Sequence, residues 1–115
     1  MGHRKCCNEW REREHLNVSR TSFQCTSVEK FLSNFPLSRE DSIILNPPRQ
    51  GVSSKVIESI ASQRPRTICL VSCFLNTHLR DLKLWKDFGY SIRSLEAFDM
   101  FPFTDFLETV TVLES

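Results

Sequence analysis

Two short apolar runs, Ser42-Ile43-Ile44-Leu45 and Thr67-Ile68-Cys69-Leu70-Val71-Ser72, are separated by one amphipathic stretch of helix length. Runs this short, bounded by turn residues, read as buried strands. Between them Val52, Val56, Ile57 and Ile60 recur at helical spacing. That spacing predicts an amphipathic helix over residues 53–63, capped by Ser53 or Ser54. A strand, a crossover helix and a second strand make a parallel pair. The chain is therefore expected to be α/β, with three layers and a largely parallel sheet.

The remaining pattern extends this unit. Leu75, Leu79, Leu82, Trp85 and Phe88 form a second helical stripe, from about Asn76 to Phe88, with Gly89 as its stop. Tyr90 to Phe98 and Leu107 to Leu113 read as two further strands joined by the Asp99–Thr104 loop. No helix separates them, so they are expected to pair antiparallel. Upstream, Ser27 reads as the cap of a helix through Phe31 and Leu32 that ends near Pro36. A short strand is expected around Phe23, in residues 20–25, and the tail of a charged helix in residues 9–16. The length of 115 residues suits one domain, 1–115.

Composition excludes several classes. No apolar run approaches the ~20 residues that span a membrane. The start, Met1 to Asn8, has no apolar core behind its charges, so no secretory signal is expected. The five cysteines are odd in number, which argues against a disulfide framework and for a reduced, cytoplasmic protein. His3, Cys6 and Cys7 have no second ligand pair at zinc spacing, so no metal is expected. The three glycines, Gly2, Gly51 and Gly89, are too scattered for a dinucleotide loop or a Walker loop. The net charge of +1 alone predicts no nucleic acid affinity, but Arg outnumbers Lys two to one and no basic residue follows Arg93. Arg is the better phosphate ligand, because its planar fork donates two parallel bonds.

Chemistry in such a sheet gathers at the carboxyl ends of the strands. Asn46-Pro47-Pro48-Arg49 follows the first run and Cys73 the second. The rigid double-proline turn presents an amide able to read a base edge, or serves simply as a turn. Cys73 is either a nucleophile or a packing thiol. Glu108, beside an apolar run, is either a base or a solvent-facing strand residue.

Taken together these loops resemble the C-terminal half of the uracil-5 RNA methyltransferases, most closely over residues 41–114. The family carries an Asp-Pro-Pro-Arg-x-Gly turn, which reads here Asn46-Pro47-Pro48-Arg49-Gln50-Gly51. Its strand ending Val-Ser-Cys-Asn-Pro-x-Thr reads Val71-Ser72-Cys73-Phe74-Leu75-Asn76-Thr77, followed by Arg80-Asp81-Leu82. After Gly89-Tyr90, its Asp-x-Phe-Pro-His-Thr-x-His-x-Glu reads Asp99-Met100-Phe101-Pro102-Phe103-Thr104-Asp105-Phe106-Leu107-Glu108.

The resemblance implies a partial Rossmann-like methyltransferase sheet, mostly parallel, with an antiparallel C-terminal strand pair. It implies S-adenosylmethionine as cofactor and tRNA or rRNA as partner. By its motifs, Cys73 is the nucleophile that adds to uracil C6 and Glu108 the base that removes the C5 proton. Asn46 falls at the cofactor and substrate pocket, and Pro47, Arg49, Phe101 and Thr104 at the substrate. The departures are Asn46 for aspartate, Phe74-Leu75 for Asn-Pro, and Phe103 and Phe106 for two histidines, which make a polar pocket apolar. The glycine-rich donor loop and the family's first two strands are missing. Two other readings therefore stand beside the enzyme: an inactive truncated remnant, or an interaction module whose exposed sheet edge pairs with a fuller methyltransferase.

Overall fold

The computed structural model describes residues 22–115. Its elements are α1 (Val28–Asn34), β1 (Ser42–Leu45), α2 (Ser54–Gln63), β2 (Thr67–Ser72), α3 (Leu75–Asp87), β3 (Ser91–Phe98) and β4 (Glu108–Glu114). Each falls within about a residue of its sequence-based expectation where one was made. The expected helix tail at 9–16 and the metal-type residues His3, Cys6 and Cys7 lie outside the described residues.

The sheet order is β1-β2-β4-β3. β1 and β2 pair parallel, with Ile43 opposite Ile68 and Leu45 opposite Leu70. β4 enters antiparallel between β2 and β3. Three strands thus point one way and β4 alone is reversed, so the antiparallel C-terminal pair is as expected. The expected strand around Phe23 is a correction: the described residues 22–25 take no place in the sheet. Among the described residues β1 stands at the sheet's edge, with Ile44 75% exposed.

Among the described residues the helices form one layer, where the three-layer expectation has two. Along β2 and β4, Ile68, Leu70, Thr109, Thr111 and Leu113 are buried, whereas Cys69, Val71, Val110 and Val112 are only half-buried. The buried set packs with Leu32 of α1, Val56, Ile57 and Ile60 of α2, and Leu82 and Trp85 of α3. The described helices pack on one face of the sheet. Right-handed crossovers explain this: the chain steps from β1 to β2 and on toward β3 in one direction, so both crossover helices land on one side.

Helix ends follow local chemistry. The Ser53 hydroxyl accepts from Val56 N at the start of α2. Gly89, at φ +93, lets the chain leave α3 in a left-handed turn. Tyr90 then donates its hydroxyl to Pro65 O at 2.7 Å and meets Trp85 edge to face at 5.4 Å. Each large apolar side chain in this core contributes about 1.5–3 kcal/mol by burial.

The buried side of α3 differs from the expected stripe. Leu75, Leu79 and Phe88 are exposed. Leu82 and Trp85 of that stripe are buried, and His78 and Asp81 are buried with them. Two polar side chains can enter because each finds a partner: His78 Nε2 lies 2.8 Å from Thr111 Oγ1, and Asp81 accepts the Val52 N–H at 2.7 Å.

Candidate active site

The site is assembled from three loops at one end of the sheet. The first, residues 46–51, follows β1. Its turn closes through Gly51 N donating to Pro48 O at 2.9 Å. Gly51 sits at φ +81, and an added Cβ would collide with Asp81 Oδ2 and lie 2.7 Å from Arg80 Nη2. Only glycine fits this position.

α3 grips that loop by its backbone. Thr77 Oγ1 donates to Arg49 O at 2.8 Å, and Arg80 Nη2 donates to Gln50 O at 2.7 Å. Asp81, 2% exposed, accepts from Val52 N and pairs with Arg80 at 2.9 Å. Because α3 starts two residues after Cys73, this grip ties the 46–51 loop to the Cys73 loop. Arg80-Asp81-Leu82 was legible as a motif, but its structural role was not.

The second loop carries Cys73 and Phe74 between β2 and α3. Ser72 Oγ accepts from Phe74 N and donates to Phe74 O, both at 3.3 Å. The third loop, residues 99–107, leads into Glu108. In it Thr104 Oγ1 donates to Phe101 O at 2.6 Å, which folds the tip into a turn.

Register brings the two candidate reacting residues together. The last pair of β2 with β4 is Ser72 opposite Thr109, and Thr109 Oγ1 donates to Ser72 O at 3.3 Å. Cys73 is the next residue on one strand and Glu108 the preceding residue on the other. They stand at adjoining ends of neighbouring antiparallel strands, and both are half-buried.

Arg49 links all three loops. Its guanidinium carbon lies 4.2 Å from the centroid of the Phe106 ring and 5.7 Å from that of Phe74. Both distances lie within cation–π range. Two of the three phenylalanines that were expected to make the pocket apolar therefore hold a cation. Phe103 takes no part: its side chain is fully exposed, at φ +64. Phe101 and Thr104 are exposed at the tip of their loop, and Asn46 is exposed beside the half-buried Pro47. Asn46 and Pro47 line a cavity of about 310 Å³ with Ile44, Leu45, Val52 and Ser53.

A sequence profile of the tRNA (uracil-5-)-methyltransferases matches residues 16–115. The chain belongs to this family. Among curated relatives, an uncharacterized RNA methyltransferase of Thermotoga maritima is 46% identical over 86 residues, which are 75% of this chain and 19% of that protein. One from Streptomyces avermitilis is 40% identical over 87 residues, 76% of this chain and 20% of that protein. The chain thus spans about a fifth of the length of the curated relatives it matches. Among solved structures, the tRNA (uracil-54, C5)-methyltransferase of Pyrococcus abyssi, crystallised with S-adenosyl-L-homocysteine, superposes with a TM-score of 0.74. Its identity is 28%, over 93% of this chain and 26% of that one. The M1.HpyAVI–SAM complex superposes at a TM-score of 0.51 with 13% identity, a likeness of fold alone.

No helix among the described residues is long and apolar enough to cross a membrane. No group of three or more His, Cys, Asp or Glu side chains among them could hold a metal ion.

Proposed function

We propose that this chain is the catalytic segment of an RNA uracil-5 methyltransferase, acting in the cytoplasm on a uridine of tRNA or rRNA. The supporting observation is the register that sets Cys73 and Glu108 at adjoining strand ends. Uracil C5 is too weak a nucleophile to be alkylated directly, and thiolate addition next door removes that obstacle.

In this reading the Cys73 thiolate adds to C6, and the electron pair of the C5–C6 double bond moves onto C5 and the C4 carbonyl. C5 then takes an electrophile. Glu108 accepts the C5 proton, the pair returns to form C5=C6, and the Cys73 thiolate leaves. Asn46, on the Pro47-Pro48 turn, offers an amide to the base edge. Pro47, Arg49, Phe101 and Thr104 border the substrate, and the target base must leave its stack to be reached.

The methyl donor of the family, S-adenosylmethionine, does not fit the cavity beside Asn46 alone. The cavity beside Asn46 has no charged side chain in its lining. The donor's ammonium needs an acidic partner there. No step through the donor is assigned to the described residues.

The exposed edge of β1 among the described residues favours a second reading. In it the chain is an inactive remnant or a module that pairs with a fuller methyltransferase through that edge.

A 5-fluorouridine RNA separates the two. Fluorine makes C6 more electrophilic and so shifts the addition equilibrium toward the Cys73 adduct. The enzyme reading expects a covalent RNA adduct on Cys73, seen as a mass increase of the intact chain and absent from Cys73→Ala. RNA bound without any adduct favours the second reading. S-adenosylmethionine alone is expected to leave the unfolding midpoint unmoved. A donor present at 100 times its dissociation constant would add about 2.7 kcal/mol to a fold that holds it.

A further inference from the structure

Arg49 is an exposed residue held at its backbone and at its guanidinium. Its carbonyl is fixed by Thr77, and its guanidinium lies over the Phe106 and Phe74 rings. Contact with the two rings is made through the charge of the guanidinium and leaves its N–H groups to be satisfied. Among the described residues those N–H groups have no hydrogen-bond or ion-pair partner. Asp99 and Asp105, on the loop that carries Phe106, do not pair with it. A guanidinium oriented by aromatic rings, with its donor edge unpaired, matches an acceptor that offers two oxygens in one plane. Phe74 follows Cys73 directly, so this fork sits beside the candidate nucleophile.

We propose that Arg49 grips, bidentately, a backbone phosphate adjacent to the target uridine, and that Phe74 and Phe106 set the orientation of its fork. The proposal rests on the RNA methyltransferase reading and assigns that substrate a contact point. It also gives a use to two phenylalanines where the family has an asparagine and a histidine. Arg49 is here a substrate-binding residue, and Phe74 and Phe106 are positioning residues acting through it.

The test uses the whole chain and a short single-stranded RNA with one central uridine. The phosphates are replaced one at a time by neutral methylphosphonates. At one position flanking the uridine, replacement is expected to weaken binding about tenfold, the scale of one hydrogen bond to a charged group. Arg49→Ala is expected to weaken binding of the unmodified RNA to the same extent and to abolish the effect of that one replacement. Its dependence of log affinity on log salt should fall by about 0.7, as for one phosphate of a single strand. Phe106→Leu keeps the charge and is expected to lose affinity at the same phosphate without changing the salt slope. Arg49→Lys serves if the alanine variant fails to unfold cooperatively. It keeps the charge and loses the fork, so it should lose the position-specific effect.

Equal sensitivity of wild type and Arg49 variants at every phosphate would overturn the proposal and leave the enzyme reading standing. Absence of any RNA binding by the wild-type chain would overturn both.

Discussion

Asp81 and Val52 are joined across 29 residues of sequence by a buried hydrogen bond of 2.7 Å from the Val52 N–H to Asp81 Oδ2. This bond fastens the helix that follows Cys73 to the turn that follows Asn46 and Arg49. Arg80 and Thr77 add their bonds to Gln50 O and Arg49 O on the same stretch of backbone. The relative placement of two of the three site loops therefore depends on one helix face.

Asp81→Ala should leave the buried Val52 N–H without its acceptor. The expected cost is about 2 kcal/mol, within the range for an orphaned buried donor. Urea unfolding measures it. Asp81→Asn, which keeps an acceptor oxygen, should cost less. Equal stability of the alanine variant and wild type would show that the bond contributes nothing.

Gly51→Ala tests the same contact from the other side. The backbone at φ +81 disfavours any Cβ, and the space is filled by Asp81 and Arg80. The substitution should lower the unfolding midpoint and cost more than about 1 kcal/mol, since strain and collision act together. The Arg80–Asp81 pair would have to move, so a crystal structure or amide shifts should show the disturbance at Val52. A neutral substitution would mean that the turn relaxes freely.

His78 makes stability depend on pH. Burial lowers its pKa below the ordinary 6.5, and the nearby Asp81 carboxylate opposes that shift in part. The unfolded chain therefore takes up the proton first. Stability from this group is full above about pH 6.5 and is lost as pH falls below it. His78→Gln should show a smaller fall in urea midpoint between about pH 7.5 and pH 5.5 than the wild type. An identical fall in both would remove His78 as the cause.

Much of this fold was readable before any coordinates. The apolar runs of β1 and β2 and the stripe of α2 are driven by burial, which leaves a periodic trace in sequence. The face of α3 left a misleading trace. Leu75 and Leu79 match helical spacing, but the buried positions went to His78 and Asp81, whose value lies in partners 33 and 29 residues away. Residues 20–25 carry a strand-like pattern, yet residues 22–25 are not in the sheet, because pairing is a property of neighbours rather than of the segment.

The candidate site was legible in its parts but not in its joints. Cys73, Glu108, Asn46 and Arg49 were found by resemblance. The strand register that aligns Cys73 with Glu108 is a tertiary fact, as is the clasp of Arg49 by Phe106 and Phe74. Phe74 and Phe106 read in sequence only as lost polarity. Their contact with a cation needed three loops, far apart in the chain, to meet.

The most direct test of the paired roles of Cys73 and Glu108 needs no methyl donor. Addition of a thiolate at C6 makes C5 nucleophilic, so in heavy water C5 can take a deuteron. Removal of the original proton and loss of the thiolate then return uridine labelled at C5. The chain is incubated with a uridine-containing RNA in heavy water, and the nucleosides are examined by mass spectrometry. Deuterium should accumulate at C5 with the wild-type chain, vanish with Cys73→Ala, and build up far more slowly with Glu108→Gln. Labelling that persists in Cys73→Ala, or none in the wild type while the RNA is bound, would contradict the account.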